Sequence, residues 1–318
     1  IAAELGAKIV GKSEDLNAYR LQFADAEKAE EARKALADRK DLNTEDNYGF
    51  NRPAIAGSGA DSPAALFPID PKPVGQGGQV TVALVDTAVQ PLEGKMKDFV
   101  LPSVNVSGAS QASPTDLTHG TSMAQTLLNS LALAKNQAGP ENNLGAVRLL
   151  PIDIYGSSSS TTTFEVAQGL YHAIQADAQV INLSLGGTGD SPMVEYLLQM
   201  AKQKQIMVFA SAGNTPTTDP TWPAASPYAI AVTATDWSGN IAPYANRGSF
   251  IDIKAPGSSR VYFNGQTYIS TGTSTATAFV SGQAAALAAS GIPPAQTAQA
   301  IHKSFYVNQP VVQRAPGR

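Results

Sequence analysis

From residue 79 onward the chain alternates two kinds of apolar pattern. Nearly continuous apolar runs recur at QVTVALVD (79–86), VRLLPID (147–153), AQVINLS (178–184), QIMVFAS (205–211) and AIAVTAT (229–235). Runs this short and this apolar predict strands buried on both faces of a parallel sheet. Helices are predicted over 119–134, 164–176, 191–203, 275–289 and 294–304. In the first of them Met123, Leu127, Leu128 and Leu131 share one side, as a 3.6-residue period requires. Strands alternating with helices predict an α/β fold, a mostly parallel sheet with helices on both faces. No internal repeat is visible.

The first 50 residues follow a different pattern. AKIVGK (7–12) and AYRLQF (18–23) alternate as short strands, and DAEKAEEARKALADR (25–39) reads as a helix, in the order strand, strand, helix, strand. Asp25 suits the N-cap, Glu30 and Lys34 form an i,i+4 pair, and Ala29, Ala32 and Leu36 make a thin apolar stripe. So little apolar surface predicts a unit that leans on a partner surface. This part carries 19 of the 48 charged side chains. The break in charge density predicts a small α+β unit over 1–48. Next come a Gly-, Pro- and Ala-rich linker over 49–78 with little regular structure, a main domain over 79–306 and a tail over 307–318.

Composition narrows the function. The 318 residues are 43% hydrophobic, enough for a substantial core. The net charge is −4 with no Lys/Arg-rich run, which argues against nucleic acid as a partner. No apolar run approaches the ~18 residues that span a membrane. Cysteine is absent, which removes disulfides and thiol chemistry and suits a secreted or extracytoplasmic protein. The chain opens on Ile1 with no signal-like segment, so a processed or trimmed piece is expected.

Ligands of an open parallel sheet bind beyond the carboxyl ends of its strands. The first strand ends at Asp86, the third runs into SLGG (184–187), and the fourth into SAGN (211–214). Asp86 and Asn214 are therefore site candidates, although both residue types also serve as caps and turn residues. Of three histidines, His119 opens the helix after the first strand, whereas His172 and His302 sit inside helices and read as packing or surface residues. STGTSTATAFVSG (270–282) crowds five hydroxyls into residues 270–275. Alone, Ser274 reads equally well as a helix cap. The order nucleophile, acid, base fails, because no Asp or Glu lies between Ser274 and His302. The order acid, base, nucleophile remains, as Asp86, His119 and Ser274. G-x-G-x-x-G dinucleotide binding is not supported: SLGGTGDSP lacks the final Gly, and GQGGQV precedes a strand.

These residues resemble the subtilisin-like serine proteases over about 79–306. VALVDTAV, HGTSMA, VINLSLGG, ASAGN and GTSTATAFVSG look like the family's Asp, His, cleft-strand, oxyanion and Ser motifs, in the family order. The resemblance implies a serine endopeptidase acting on polypeptides through Asp86, His119 and Ser274, with Asn214 as oxyanion donor. It further implies substrate contacts from Ser184, Leu185, Gly186, Ser211, Ala212 and Gly213. Ser157, Ser158 and Ser159, in YGSSSSTTTF, would form a cleft edge that takes substrate as an added strand. TTDPTWPAAS (217–226) would shape the floor of the S1 pocket. Residues 1–48 resemble the family's inhibitory prodomain, an intramolecular partner, with one strand and one helix of that pattern missing upstream. A cut would fall around 46–52 or in the linker.

Three departures stand out. Ala88 replaces a usual Gly two residues after the Asp, and strain is expected if that position needs positive φ. Ala278 replaces a usual Pro after the Ser, a mild change inside a helix. QPLEGKMKDF replaces the usual segment after the Asp, and no ligand cluster is visible for the calcium that the resemblance admits. No cofactor is expected. A prodomain on the same chain as an intact Ser274 implies a zymogen, slow self-processing or a trap. The other class left open is an idle pseudoprotease that binds a peptide in its cleft.

Overall fold

The computed structural model describes residues 2–54, 57–58, 67–73, 78–108, 112–136 and 143–306, so the tail expected at 307–318 lies outside the described residues. In chain order the strands are β1 (Lys8–Ser13), β2 (Ala18–Gln22), β3 (Gly49–Asn51), β4 (Gly57–Ser58), β5 (Val80–Asp86), β6 (Val104–Asn105), β7 (Val147–Asp153), β8 (Ser160–Thr162), β9 (Val180–Leu183), β10 (Met207–Ser211), β11 (Ile230–Thr235), β12 (Ile253–Pro256), β13 (Ser258–Phe263) and β14 (Gln266–Thr271). The helices of at least two turns are α1 (Ala26–Leu36), α2 (His119–Leu133), α3 (Thr163–Gln175), α4 (Pro192–Gln203), α5 (Thr273–Ala289) and α6 (Pro294–Phe305).

Seven strands form one sheet in the order β12-β11-β10-β9-β5-β7-β6, and every pairing in it is parallel. The five apolar runs supply β5, β7, β9, β10 and β11, and β5 shows why they must be apolar throughout. Val82 and Leu84 face one core with Met123, Leu127 and Leu128 of α2, while Ala83 and Val85 face the other with Val166 and Leu170 of α3. Alternate residues thus enter opposite cores, and no face is left for water. Strand order departs from β5 in both directions, through β7 to β6 and through β9 to β12. That reversal places a crevice at the carboxyl ends beside β5.

Helix α5 is apolar on nearly all sides and packs against the sheet and α2, as a helix surrounded by protein must. It meets α2 closely: Ser130 Oγ donates to Phe279 O at 2.6 Å, and Gln283 Nε2 donates to Ser130 O at 2.7 Å. Gly282 permits the approach, since a Cβ there would strike Leu127 O and lie 2.9 Å from Ser130 Cβ.

The N-terminal region is a β1–β2 antiparallel hairpin followed by α1, whose N-cap Asp25 accepts from Lys28 N at 2.8 Å. It leans on α3, where Arg20 pairs with Glu165 and lies over the Phe164 ring.

Within residues 49–78 two short strands occur: β3 pairs antiparallel with β8, and β4 pairs antiparallel with β14. Residues 253–271 hold an edge strand and a hairpin that the apolar pattern did not predict. Its turn was nonetheless legible: Asn264 and Gly265 both take positive φ, which Asn-Gly supplies in two-residue hairpin loops.

Gly282→Ala is expected to force α2 and α5 apart and to cost about 1–3 kcal/mol, the usual penalty of overpacking. A thermal midpoint unchanged from the parent would contradict the close-packed interface.

Candidate active site

Asp86 is the last residue of β5 and His119 the first of α2. His119 Nδ1 lies 2.8 and 2.9 Å from the two Asp86 carboxylate oxygens, with the pair 1% and 6% exposed in chain order. A carboxylate only accepts, so Nδ1 donates in this contact, and in the neutral imidazole that leaves Nε2 as the acceptor. Local bonds fix the pair. Thr87 N donates to Asp86 Oδ1 at 2.6 Å, Gly120 N donates to Thr87 Oγ1 at 2.8 Å, and Thr118 caps α2 by accepting from Thr121 N at 3.2 Å.

Ser274 is the second residue of α5 and is nearly buried. Its hydroxyl donates to Ser184 O at 3.2 Å, just past the end of β9. Asn214 follows β10, and its Oδ1 accepts from Thr273 N at 2.9 Å and from Thr273 Oγ1 at 3.1 Å. With Oδ1 engaged, Nδ2 is the end of the amide able to donate elsewhere. The carboxyl ends of β5, β9 and β10 therefore share one edge with the N-termini of α2 and α5. Asp86, His119, Ser274 and Asn214 lie on that edge.

The flanking residues sort as follows. Ser184 Oγ donates to Ser274 O at 3.3 Å, and Ser211 Oγ to Leu185 O at 3.2 Å, tying the ends of β9 and β10 to each other and to α5. Ala212 O accepts from Asn246 Nδ2 at 2.7 Å, and Gly213, at φ 102, donates its N–H to Thr273 Oγ1 at 3.1 Å. Gly186 packs against Thr221.

Ser157, Ser158 and Ser159 precede β8, whose Ser160–Thr162 pairs with β3 of the same chain. The contact extends to two of them, since Ser158 O accepts from Arg52 Nε at 2.9 Å and Ser159 O from Arg52 N at 2.8 Å. Gly156 turns the chain before them at φ 55, with its N–H on Asp153 Oδ1 at 2.9 Å. Sequence reasoning missed Thr161, Thr163, Thr273 and Asn246. Thr273 lay in GTSTATAFVSG and Thr161 and Thr163 in YGSSSSTTTF, whereas Asn246 lay in no recognised motif.

Tyr155 lies beneath this edge. Its hydroxyl donates to Asn51 O at 3.4 Å, and burial pushes its phenol far above the usual tyrosine range. Burial also raises the carboxyls of Asp190 and Glu195, and both residues share a cleft with Phe50 and Trp222. Ala88 carries no left-handed strain, since the described non-glycine residues at positive φ are Asn17, Asp177, Gln205 and Asn264. Ala278 is buried within α5. His172 stands edge-on to the Tyr171 ring on α3, and His302 lies on α6. Among the described residues no group of three or more His, Cys, Asp or Glu is placed to hold a metal ion. Nor is any described helix long and apolar enough to cross a membrane.

A parallel sheet covered on both faces, with Asp86, His119, Ser274 and Asn214 along its carboxyl edge, is an arrangement open to serine-hydrolase chemistry. Residues 77–315 match the model of the Peptidase_S8 or subtilase family, and the chain belongs to that family. It is a subtilisin-like serine peptidase, whose substrates are polypeptides. It is 33% identical to thermitase of Thermoactinomyces vulgaris over 221 residues, covering 69% of this chain and 78% of thermitase. It is 32% identical to subtilisin Savinase of Lederbergia lenta over 217 residues, covering 66% and 76%. Among solved structures, the self-cleaved protease domain of PatA superposes with a TM-score of 0.54 at 27% identity, covering 69% of this chain and 86% of that one.

Thr273→Val removes the hydroxyl that bonds both Asn214 Oδ1 and Gly213 N. It is expected to cost about 0.5–1.5 kcal/mol of stability and to lower kcat more than it raises KM. A change in KM alone would show that Asn214 does not depend on Thr273.

Proposed function

We propose that the chain is a serine endopeptidase using Asp86, His119 and Ser274, with Asn214 as oxyanion donor, and that it carries its own inhibitor in the cleft. The buried two-oxygen contact of Asp86 with His119 carries the first half of this reading. Ser274 Oγ would turn from Ser184 O to His119 Nε2, lose its proton there and attack the peptide carbonyl. Asn214 Nδ2 and the Ser274 N–H would hold the oxyanion, helped by the positive end of the α5 dipole. Collapse would break the C–N bond as His119 returns the proton to the leaving amine. Water would then repeat the sequence on the acyl-enzyme.

The β3–β8 pairing supports the second half. Residues 1–48 act as the prodomain and 49–78 as the linker to a catalytic domain at 79–306. Glu45 accepts from Met193 N at 2.8 Å and from Ser191 Oγ at 2.7 Å at the start of α4. Asn47 Oδ1 accepts from Phe164 N at 3.1 Å at the start of α3. Two helix N-termini thus receive polar side chains from the N-terminal region, where free N–H groups await partners. Beyond them Phe50 is 3% exposed and joins the core of α3 and α4. The chain then returns as β4 against β14, the strand that leads into Ser274. A cut in the linker would convert this arrangement into enzyme plus inhibitor.

Ser274→Ala is expected to abolish casein hydrolysis and fluorophosphonate labelling. Asn214→Ala is expected to lower kcat about 10²–10³-fold, a magnitude carried over from a subtilisin. A parent protein that neither labels nor hydrolyses casein would refute the peptidase assignment of these residues. On incubation the parent should also separate into two chains by a cut within 46–78, whereas Ser274→Ala should stay whole. Equal cutting in both would point to a foreign protease.

A further inference from the structure

We infer that Thr221 closes the pocket for the residue on the amino side of the cut, so that the enzyme takes peptides with Gly, Ala or Ser there. The inference rests on the peptidase reading above. It deepens that reading by naming the substrate class.

A carbonyl carbon within reach of Ser274 Oγ lies between the ends of two strands, because Ser184 follows β9 and Asn214 follows β10. The parallel pairing of these strands ends at Leu183↔Ala210. On the peptidase reading the side chain of the acyl residue lies beyond that last pair, between residues 184–187 and 211–213. What fills the crevice is measurable at Gly186. A Cβ there would lie 2.7 Å from Thr221 Cγ2, 3.4 Å from Ser211 O and 3.6 Å from Trp222 O. The Thr221 methyl thus stands where both walls and the floor meet.

Thr221 cannot swing aside cheaply. Its Oγ1 accepts from Asn246 Nδ2 at 3.0 Å, and that amide also donates to Ala212 O at 2.7 Å. Asn246 is itself buried and held: its Oδ1 accepts from Thr215 N at 2.9 Å, and its N–H donates to Gly213 O at 3.0 Å. Next along the chain, Trp222 and Gly187 exchange both backbone hydrogen bonds, at 2.8 and 2.9 Å. The floor is clamped to each wall, so a large acyl side chain would have to break a buried hydrogen bond to enter.

The test uses the full chain and two fluorogenic peptides that differ only in Ala or Phe before the cut, with rates normalised to Ser274 labelled by a non-peptidic fluorophosphonate. The parent should cut the Ala peptide about 100-fold faster, the discrimination a close-fitting pocket reaches. Thr221→Gly should reverse the preference. Thr221→Ser, which keeps the hydroxyl for Asn246 and removes only the methyl, should bring the two rates closer and guards against a misfolded glycine variant. A parent that cuts Phe as fast as Ala, or variants that label normally with an unchanged ratio, would overturn the inference. A parent that fails to label would overturn the peptidase reading and this inference with it.

Discussion

The close approach of α2 and α5 is the constraint on which the site depends. At Gly282 the backbones come near enough that a single methyl group would collide with Leu127 O. Counting back eight residues from Leu127 reaches His119, and eight back from Gly282 reaches Ser274. Both helices start at the carboxyl edge of the sheet, so fixing their separation at the glycine fixes it at their first turns. An interior packed to crystal density transmits small displacements instead of absorbing them. The geometry of a site made of two helix starts and three strand ends is therefore set in the core, well away from the polar residues.

The same edge concentrates unsatisfied backbone N–H groups. Helices α2 and α4 follow strands of the seven-stranded sheet, α3 follows β8 and α5 follows β14. Each start needs acceptors. Thr87 and Thr118 serve at the start of α2, and Asn214 meets the first N–H of α5. For α3 and α4 part of the supply comes from Asn47 and Glu45, over a hundred residues earlier in the chain. Acceptors placed so far off in sequence tie the N-terminal region to the starts of α3 and α4.

Much of this was legible in the residues themselves. The apolar runs marked five strands because burial on both faces leaves no polar alternation. Counting acids between Ser274 and His302 fixed the order in which site residues could be read. The β3–β8 pairing was not legible, since Ser160–Thr162 and Gly49–Asn51 meet through backbone groups that every residue carries. Ala88 looked strained only while its φ was unknown. Asn246 had no local pattern at all: its role comes from contacts with Ala212, Thr215 and Thr221 in the β10–β11 connection and with Thr233 of β11, all well upstream in the chain.

The two short strands of the linker carry one more implication. β3 and β4 lie on either side of five residues, and each is hydrogen-bonded to the main body. If residues 1–48 inhibit the cleft as proposed, its occupancy while the chain is whole is a ring-closure equilibrium. The local concentration of the occupant is set by the tether, at about the millimolar level for a short linker, however dilute the protein. Breaking one bond between the two strands would leave each attached by its own half of the contacts and end that independence. Occupancy would then follow mass action and fall on dilution, so protein concentration itself would become a control on how much cleft is open.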